Sequence, residues 1–183
     1  TVDSYNTAVG YAAGQSVTSG VHNTIIGGLA GDALTSGSDN IAIGVNALST
    51  EDAHGRNVAI GRDALKLLNA GSDSYNVAVG YVAGANISTG VHNTLIGGQA
   101  GDALTTGGNN IALGYLALTT EDTGSRSVAI GSFALHQQNN DSNNDNVAIG
   151  YNAGFALTTG VRNTIVGSLS GDAITTGGDN VSL

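Results

Sequence analysis

The chain of 183 residues has 29 glycines, no proline and no cysteine, and it carries a formal net charge of −9 with only five lysines and arginines. So few basic residues exclude a positive stripe for nucleic acid and a polybasic contact with a membrane surface. The lack of cysteine excludes disulfides and thiolate metal sites, and the short apolar runs fall far below the roughly 20 residues of a membrane-spanning helix. We therefore expect no nucleic-acid partner and no membrane insertion in this segment.

One short sequence block recurs along the chain at a fixed step. It reads Asn-x-Ala/Ile/Leu-Val/Ile/Leu-Gly and first occurs as NTAVG at residues 6–10. A constant step is typical of a solenoid, whose repeats bury their apolar faces only against one another. We predict one array over residues 1–183, a fragment of a longer fibrous protein, with coils of about 17 residues and a slightly longer coil at every fourth step. The coils are anchored at the glycines Gly10, Gly27, Gly44, Gly61, Gly80, Gly97, Gly114, Gly131, Gly150 and Gly167.

Each block predicts a short β-strand. Branched residues alternate in it, and glycine ends it, which is the pattern of a strand followed by a turn. We number positions relative to this glycine, as position 0. The coil length leaves room for two strands and two turns, so the sequence predicts an all-β, parallel β-solenoid with two sheets.

The two faces of each strand predict how the chains pack. We assign the bulky residues at positions −3 and −1 to the interior, which leaves position −2 on the outside. No block contains a charged residue, and a strand without charge on either face is most simply buried on both. We therefore expect a parallel homo-oligomer; the alternative is a monomer with a flat face of small residues. The predicted inter-chain face consists of Ala8, Ile25, Ala42, Ala59, Ala78, Leu95, Ala112, Ala129, Ala148 and Ile165.

Position −4 is asparagine in every coil but one, where Ser127 replaces it. Stacked asparagines can bond to one another along the axis, as amide ladders do, or each can hold its own turn through nearby backbone. Both interpretations are structural. The predicted ladder consists of Asn6, Asn23, Asn40, Asn57, Asn76, Asn93, Asn110, Asn146, Asn163 and Asn180.

A longer period, of about 70 residues, is superimposed on the coils. Ser4-Tyr5-Asn6 recurs as Ser74-Tyr75-Asn76, and Glu51-Asp52 recurs as Glu121-Asp122. The sequence therefore predicts a super-repeat of four unlike coils. The extra residues of the longer coils fall within residues 71–75 and 141–145, and we expect these loops to project.

The NVAIG block, with alanine at position +3, resembles the YadA-like head repeat (NSVAIGxxS/A) of trimeric autotransporter adhesins. It is also similar to repeats in phage tail-fibre shafts. The resemblance covers essentially the whole chain. It implies a left-handed parallel β-roll, three chains side by side, and an adhesive role on a cell surface or virion.

We expect no catalytic site, because a repeat copies its surface residues and no nucleophile is paired with His22 or His92. We also expect no cofactor and no metal. Two alternatives come from other classes of secreted solenoid. The first alternative is calcium binding, which is suggested by two columns of polar residues: Asp32, Asp102 and Asp172, and Asp39, Asn109 and Asp179. Asx turns explain these columns more simply. The second alternative is ice binding, which is suggested by the threonine pairs at 105–106, 119–120, 158–159 and 175–176.

The sequence thus predicts a structural and adhesive fibre segment, the head or shaft of a bacterial surface adhesin or a phage tail fibre. Its expected location is extracellular, at a cell surface or on a virion. Its expected partners are two further copies, forming a homotrimer, and a host surface glycan or protein receptor. Tyr11, Tyr81 and Tyr151, one per super-repeat, are candidates for stacking on sugars, with packing over a corner of the roll as the plainer role.

Overall fold

A computed structural model describes residues 4–183 and contains one parallel sheet of eleven very short strands in chain order. The strands are β1 (Thr7–Val9), β2 (Thr24–Ile26), β3 (Ile41–Ile43), β4 (Val58–Ile60), β5 (Val77–Val79), β6 (Thr94–Ile96), β7 (Ile111–Leu113), β8 (Val128–Ile130), β9 (Val147–Ile149), β10 (Thr164–Val166) and β11 (Val181–Ser182). Within residues 4–183 there is no helix long and apolar enough to cross a bilayer.

The strand register follows the sequence repeat. Each strand pairs with the next at equal block positions, so that Ala8 lies beside Ile25 and Ala59 beside Ala78. The pair β4–β5 keeps this register although one of the longer coils lies between its partners. The prediction of an all-β, parallel β-solenoid is confirmed: the strands stack in about ten turns, and each turn takes about 17 residues.

The prediction of a second sheet is wrong, because turns build the rest of each coil. In the third coil the amide of Ala47 donates to the carbonyl of Gly44 at 3.3 Å, and one coil later Leu68 donates to Leu65 at 3.2 Å. Residues at positions +2 and +4 have positive φ, for example Asn46 at 55° and Leu48 at 52°. This conformation is incompatible with an extended strand. Backbone bonds still join the coils on this wall, as from Leu48 to the carbonyl of Ala64 at 3.0 Å.

The predicted assignment of the strand faces is also wrong, because position −2 faces the interior. From Ile25 to Ile165 this column is completely buried within the single chain; at its ends Ala8 is exposed and Ser182 is half-buried. The interior is thin, and small alanines fit against the leucines of the turn wall. The branched residues at −3 and −1 therefore point outward. The predicted inter-chain face (Ala8, Ile25, Ala42, Ala59, Ala78, Leu95, Ala112, Ala129, Ala148 and Ile165) is the core-facing side of the sheet.

Side-chain volumes are matched between positions −2 and +4. Where position −2 is large, position +4 is glycine both in that coil and in the coil before it: a Cβ on Gly101 or on Gly84 would come within 2.8 or 2.7 Å of Leu95. Where position −2 is Ala42 or Ala59, position +4 is a buried leucine, Leu48 or Leu65. Interiors are packed without large voids, so a core of this width holds either pairing but not two large residues. This matching explains why neighbouring coils differ.

The glycines at position 0 stack directly on one another. Their φ lies between 127° and 144°, a region that side chains rarely adopt, and a Cβ on Gly80 would lie 2.6 Å from the carbonyl carbon of Gly97. The step from coil to coil is thus as short as two backbones allow.

The asparagine column is a ladder of side chain to backbone, and it links each coil to the next. Asn93 accepts a bond from the amide of Asn110 at 3.0 Å and donates to the carbonyl of Gly107 at 2.9 Å. Direct amide–amide bonds are confined to a few steps, such as Asn180 to Asn163 at 2.8 Å. Because the side chains are buried, each satisfies backbone groups that would otherwise lack partners.

The extra residues of the longer coils are only partly exposed. Gly71 and Ser72 form an exposed tip, as do residues 141–143. Ser74 and Asn144, at the ends of these segments, are instead completely buried. The loops therefore project at their tips and contribute one polar side chain each to the interior.

Candidate interaction surface

The outward side of the sheet is an apolar strip that runs the length of the solenoid. It consists of the residues at positions −3 and −1 of every strand and contains no charged side chain; we call it the outer sheet face. Its most exposed large members within the array are Ile26, Ile96, Ile111, Leu113, Ile149 and Val166, each 37–40% exposed. The full set is Thr7, Val9, Thr24, Ile26, Ile41, Ile43, Val58, Ile60, Val77, Val79, Thr94, Ile96, Ile111, Leu113, Val128, Ile130, Val147, Ile149, Thr164, Val166 and Val181.

The outer sheet face is about as large as the largest apolar patch of a typical monomer, and such patches are often functional. Eleven strands spaced about 4.8 Å apart extend over about 48 Å, and three residues of strand span about 10 Å. The resulting footprint of about 500 Å² lies at the upper end of the patches that monomers expose, about 300–600 Å². Flat, charge-free and β-branched, the face can pack against another sheet face.

A row of aromatic rings lies at position +1, immediately after the turn glycine. Tyr11, Tyr81, Tyr115 and Tyr151 are all at least half exposed. The Arg62 guanidinium lies 5.9 Å from the ring centroid of Tyr81, within the range of a cation–π contact. These rings are open to solvent, as a sugar-stacking role requires.

Further aromatic rings cluster around Phe133. Its ring meets Tyr115 edge-on at 5.5 Å and Tyr151 at 6.2 Å, while His136 stacks on Phe155 at 4.9 Å. His136 thus belongs to a packed aromatic group.

His22, His92 and the column of Asp39, Asn109 and Asp179 lie along one corner, at position −5, whereas Asp32, Asp102 and Asp172 lie at position +5. His22 stacks on Tyr5 at 5.7 Å and faces Asp39 at 3.4 Å, and His92 stacks on Tyr75 in the same way. Arg162 holds Asp179 through two bonds of 2.6 and 2.7 Å, which lower the pKa of that carboxyl. Two of the carboxylates that the sequence offered for calcium, Asp39 and Asp179, are therefore paired with an imidazole and a guanidinium.

Several of the residues considered for the two alternatives have partners inside the protein, although Asp32 Oδ1 is buried without one. Asp102 accepts a hydrogen bond from the Thr119 hydroxyl. The hydroxyls of Thr105 and Thr158 donate to backbone carbonyls of the following coil at 3.0 and 3.2 Å. These threonines tie one coil to the next, so their donors are not free to order water.

One buried polar network was not predicted from the sequence. Glu121 takes a place that leucine or isoleucine fills in most coils, position +7, and is completely buried. Its carboxylate accepts bonds from the amides of Gly124 and Asn140 and from the side chains of Gln138 and Asn144, at 2.8–3.3 Å. The signal in the sequence was a glutamate in a column of mostly apolar residues. This signal can be recognised only once that column is known to lie in the core.

The same network explains why Ser127 can replace the ladder asparagine. Gln138 donates to the Ser127 hydroxyl at 2.7 Å and accepts from Asn146 at 2.8 Å, so its amide fills the place of the missing one. Earlier in the chain the corresponding set is Asn57, Leu68 and Ser74, in which Ser74 donates to Asn57 at 2.7 Å. The residues at these three positions therefore differ as a set between the two parts of the chain.

Replacing Gln138 with leucine should lower the free energy of unfolding by about 2–4 kcal/mol, because Ser127 and Glu121 lose a donor and buried polar groups cost about 1–3 kcal/mol each when unpaired. The double variant Ser127→Asn, Gln138→Leu restores the asparagine and leucine that the corresponding positions hold earlier in the chain, while Asn144 still donates to Glu121. We expect it to recover at least half of the loss in urea unfolding followed by circular dichroism. A double variant less stable than the single one would contradict this account.

The stability should also depend on pH through Glu121. Burial disfavours the charged carboxylate and raises its pKa above the ordinary 4.5, although its four donors act in the opposite direction. The folded state then binds the proton more tightly than the unfolded one. The contribution of Glu121 is fully present below pH 4.5 and is lost as pH rises through the raised pKa.

This dependence is measured as the difference in unfolding free energy between the native chain and Glu121→Gln across pH 4–8. As pH rises, the unfolding free energy of the native chain should fall relative to that of Glu121→Gln. A difference that is flat, or of opposite slope, would show that hydrogen bonding outweighs burial at this carboxylate.

A comparison with protein-family models, with curated proteins and with solved structures finds no match for this chain. The functional argument therefore rests on the residues and surfaces described above.

Proposed function

We propose that the chain is a structural and adhesive fibre segment, in which three parallel copies bury their outer sheet faces against one another. The observation that carries this proposal is the charge-free outer sheet face. The sequence suggested a partner chain because neither face of the strand carries charge, and that reason still applies. The two faces have exchanged roles: the alanine side fills the core, and the branched side is the one that meets the other chains.

A second copy suits this face better than an unrelated protein. The face repeats every 4.8 Å or so, and a partner must match that spacing over about 48 Å. A parallel copy does so without adjustment, because equal coils lie at equal heights in a cyclic assembly. The threefold number and a left-handed roll come from the resemblance to adhesin head repeats.

The assembled rod holds its recognition elements away from its base. Its four-coil super-repeat advances about 19 Å, so loop tips and exposed tyrosines recur at that interval. The tyrosine row at position +1 provides stacking surfaces for a host glycan, and the loop tips can contact a protein receptor. Such a rod acts outside the cell, on a cell surface or a virion, and performs no catalysis.

The mass of the assembly in solution tests the proposal most directly. Sedimentation equilibrium at micromolar concentration should give three times the 18.0 kDa mass of one chain. A single species of 18.0 kDa would mean that the outer sheet face needs no partner, and a species of twice that mass would exclude threefold symmetry.

A further inference from the structure

The most unusual polar group outside the outer sheet face surrounds Glu51. Like Glu121, this residue replaces an apolar residue at position +7 and is completely buried. The amide of His54 donates to its Oε1 at 3.1 Å and the amide of Ala70 to its Oε2 at 3.4 Å. Charge-assisted bonds to a carboxylate are ordinarily about 2.7–2.9 Å long. Both bonds are therefore long for a buried carboxylate.

The equivalent glutamate later in the chain shows what Glu51 lacks. Glu121 accepts hydrogen bonds from two backbone and two side-chain donors. Around Glu51, the positions that correspond to those two side-chain donors are Leu68 and Ser74. Ser74 turns to Asn57 instead. A carboxylate offers about four acceptor positions, so Glu51 keeps unused capacity in the interior.

A histidine stands beside this carboxylate in place of a glycine. His54 corresponds to Gly124, and a Cβ on Gly124 would collide with the Asn144 amide and the Glu121 carboxylate. At the position that corresponds to Asn144, Ser74 is smaller, which leaves room for an imidazole. The His54 Nδ1 lies 3.5 Å from Glu51 Oε1, is shielded from solvent and has no hydrogen-bond partner.

Asp52 completes the group. One ligand atom each from Glu51, Asp52 and His54 lie within 4.8 Å of one another. In a tetrahedral zinc site with bonds of about 2.0–2.1 Å, neighbouring ligand atoms are about 3.4 Å apart. The distance between His54 and Glu51 already fits, and Asp52, which is exposed, can turn to close the third side.

We propose that Glu51, Asp52 and His54 bind one divalent transition-metal ion of the zinc type, with a fourth position open to water. One imidazole and two carboxylates suit zinc, whereas calcium and magnesium prefer oxygen ligands alone. The ion supplies the positive partner that the buried Glu51 carboxylate lacks. It also fixes the conformation of residues 51–54, which carry all three ligands.

Titration of the purified chain with zinc chloride, followed by calorimetry, should show one ion bound per chain. Cobalt substitution should give the strong visible absorption of a tetrahedral N/O site. His54→Gly, which introduces the residue found at the equivalent position later in the chain, should weaken binding at least about 100-fold, since even outer-sphere changes cost about 10–100-fold.

Two further variants separate this site from ordinary surface binding. Asp52→Asn alters an exposed side chain and should weaken binding without unfolding the chain. His92→Gln removes an exposed histidine and should leave binding unchanged. Absence of saturable zinc uptake at millimolar concentration would overturn the proposal, and so would uptake that survives both His54→Gly and Asp52→Asn. The outcome does not depend on the number of chains in the assembly.

Discussion

Replacing Ile60 and Ile96 with glutamate should convert the proposed threefold assembly into single 18.0 kDa chains that keep their β-structure. Both side chains lie on the outer sheet face, at the ends of β4 and β6, and are partly exposed in the single chain. In a threefold assembly the double variant buries six carboxylates without partners. Each costs several kcal/mol when desolvated, and the six costs together oppose the apolar burial that holds the chains together.

The matched control places the same charges on the turn wall. Leu67 and Gln137 are both exposed at position +6, and Leu67→Glu with Gln137→Glu should leave the mass unchanged. Sedimentation equilibrium measures the assembly, and far-ultraviolet circular dichroism confirms that each variant is folded. If the Ile60 and Ile96 variant kept its mass while the control lost it, the interface would lie on the turn wall.

Replacing Gly80 with alanine should destabilise the solenoid by about 3–5 kcal/mol, at the upper end of single-substitution effects. The φ of Gly80 is 142°, and an added Cβ would lie 2.6 Å from the Gly97 carbonyl carbon. Residues forced into such φ regions cost about 1–3 kcal/mol. The clash adds to this, because the backbone of the next coil cannot move without breaking the sheet.

Gly28 provides the control, since it is a glycine at position +1 of an earlier coil with a different environment. A Cβ on Gly28 would meet no atom within 4 Å, and its φ is not positive. Gly28→Ala should therefore change the unfolding free energy by no more than about 0.5 kcal/mol. Urea unfolding compares the two variants, and amide hydrogen exchange should show the loss of protection centred on β5 and β6. Equal effects of the two substitutions would refute the stacking argument.

The coil period and the parallel register were predictable because they depend only on the spacing of residues along the chain. A block that recurs at a constant step and ends in glycine can stack only with like positions side by side, and Ala59 beside Ala78 is one such pair. The longer steps did not disturb the register, since the extra residues sit in a loop whose tip, Gly71 and Ser72, is free to extend.

The direction of the strand faces was not predictable from the alternation alone. Alternation separates Ala42 from Ile41 and Ile43 but does not say which side is inside. The usual rule places the larger residues in the core. Here the core is too narrow for that rule, because Leu48 from the turn wall already occupies the space opposite Ala42.

The buried polar groups were missed for the same reason. Glu51 and Glu121 were visible in the sequence as a recurrence, yet nothing local marked position +7 as interior. The exchange of Asn57, Leu68 and Ser74 for Ser127, Gln138 and Asn144 involves residues that are well separated along the chain. They meet only because one coil lies on the next.

By itself the sequence determined the class of fold, the coil length, the register and the absence of charge along each strand, since all of these follow from periodicity and composition. Only the tertiary structure decided which strand face is the core, whether a second sheet forms, and which polar residues are buried together. Those outcomes depend on the width of the interior and on positive φ in the turns, which are properties of the closed coil rather than of any segment within it.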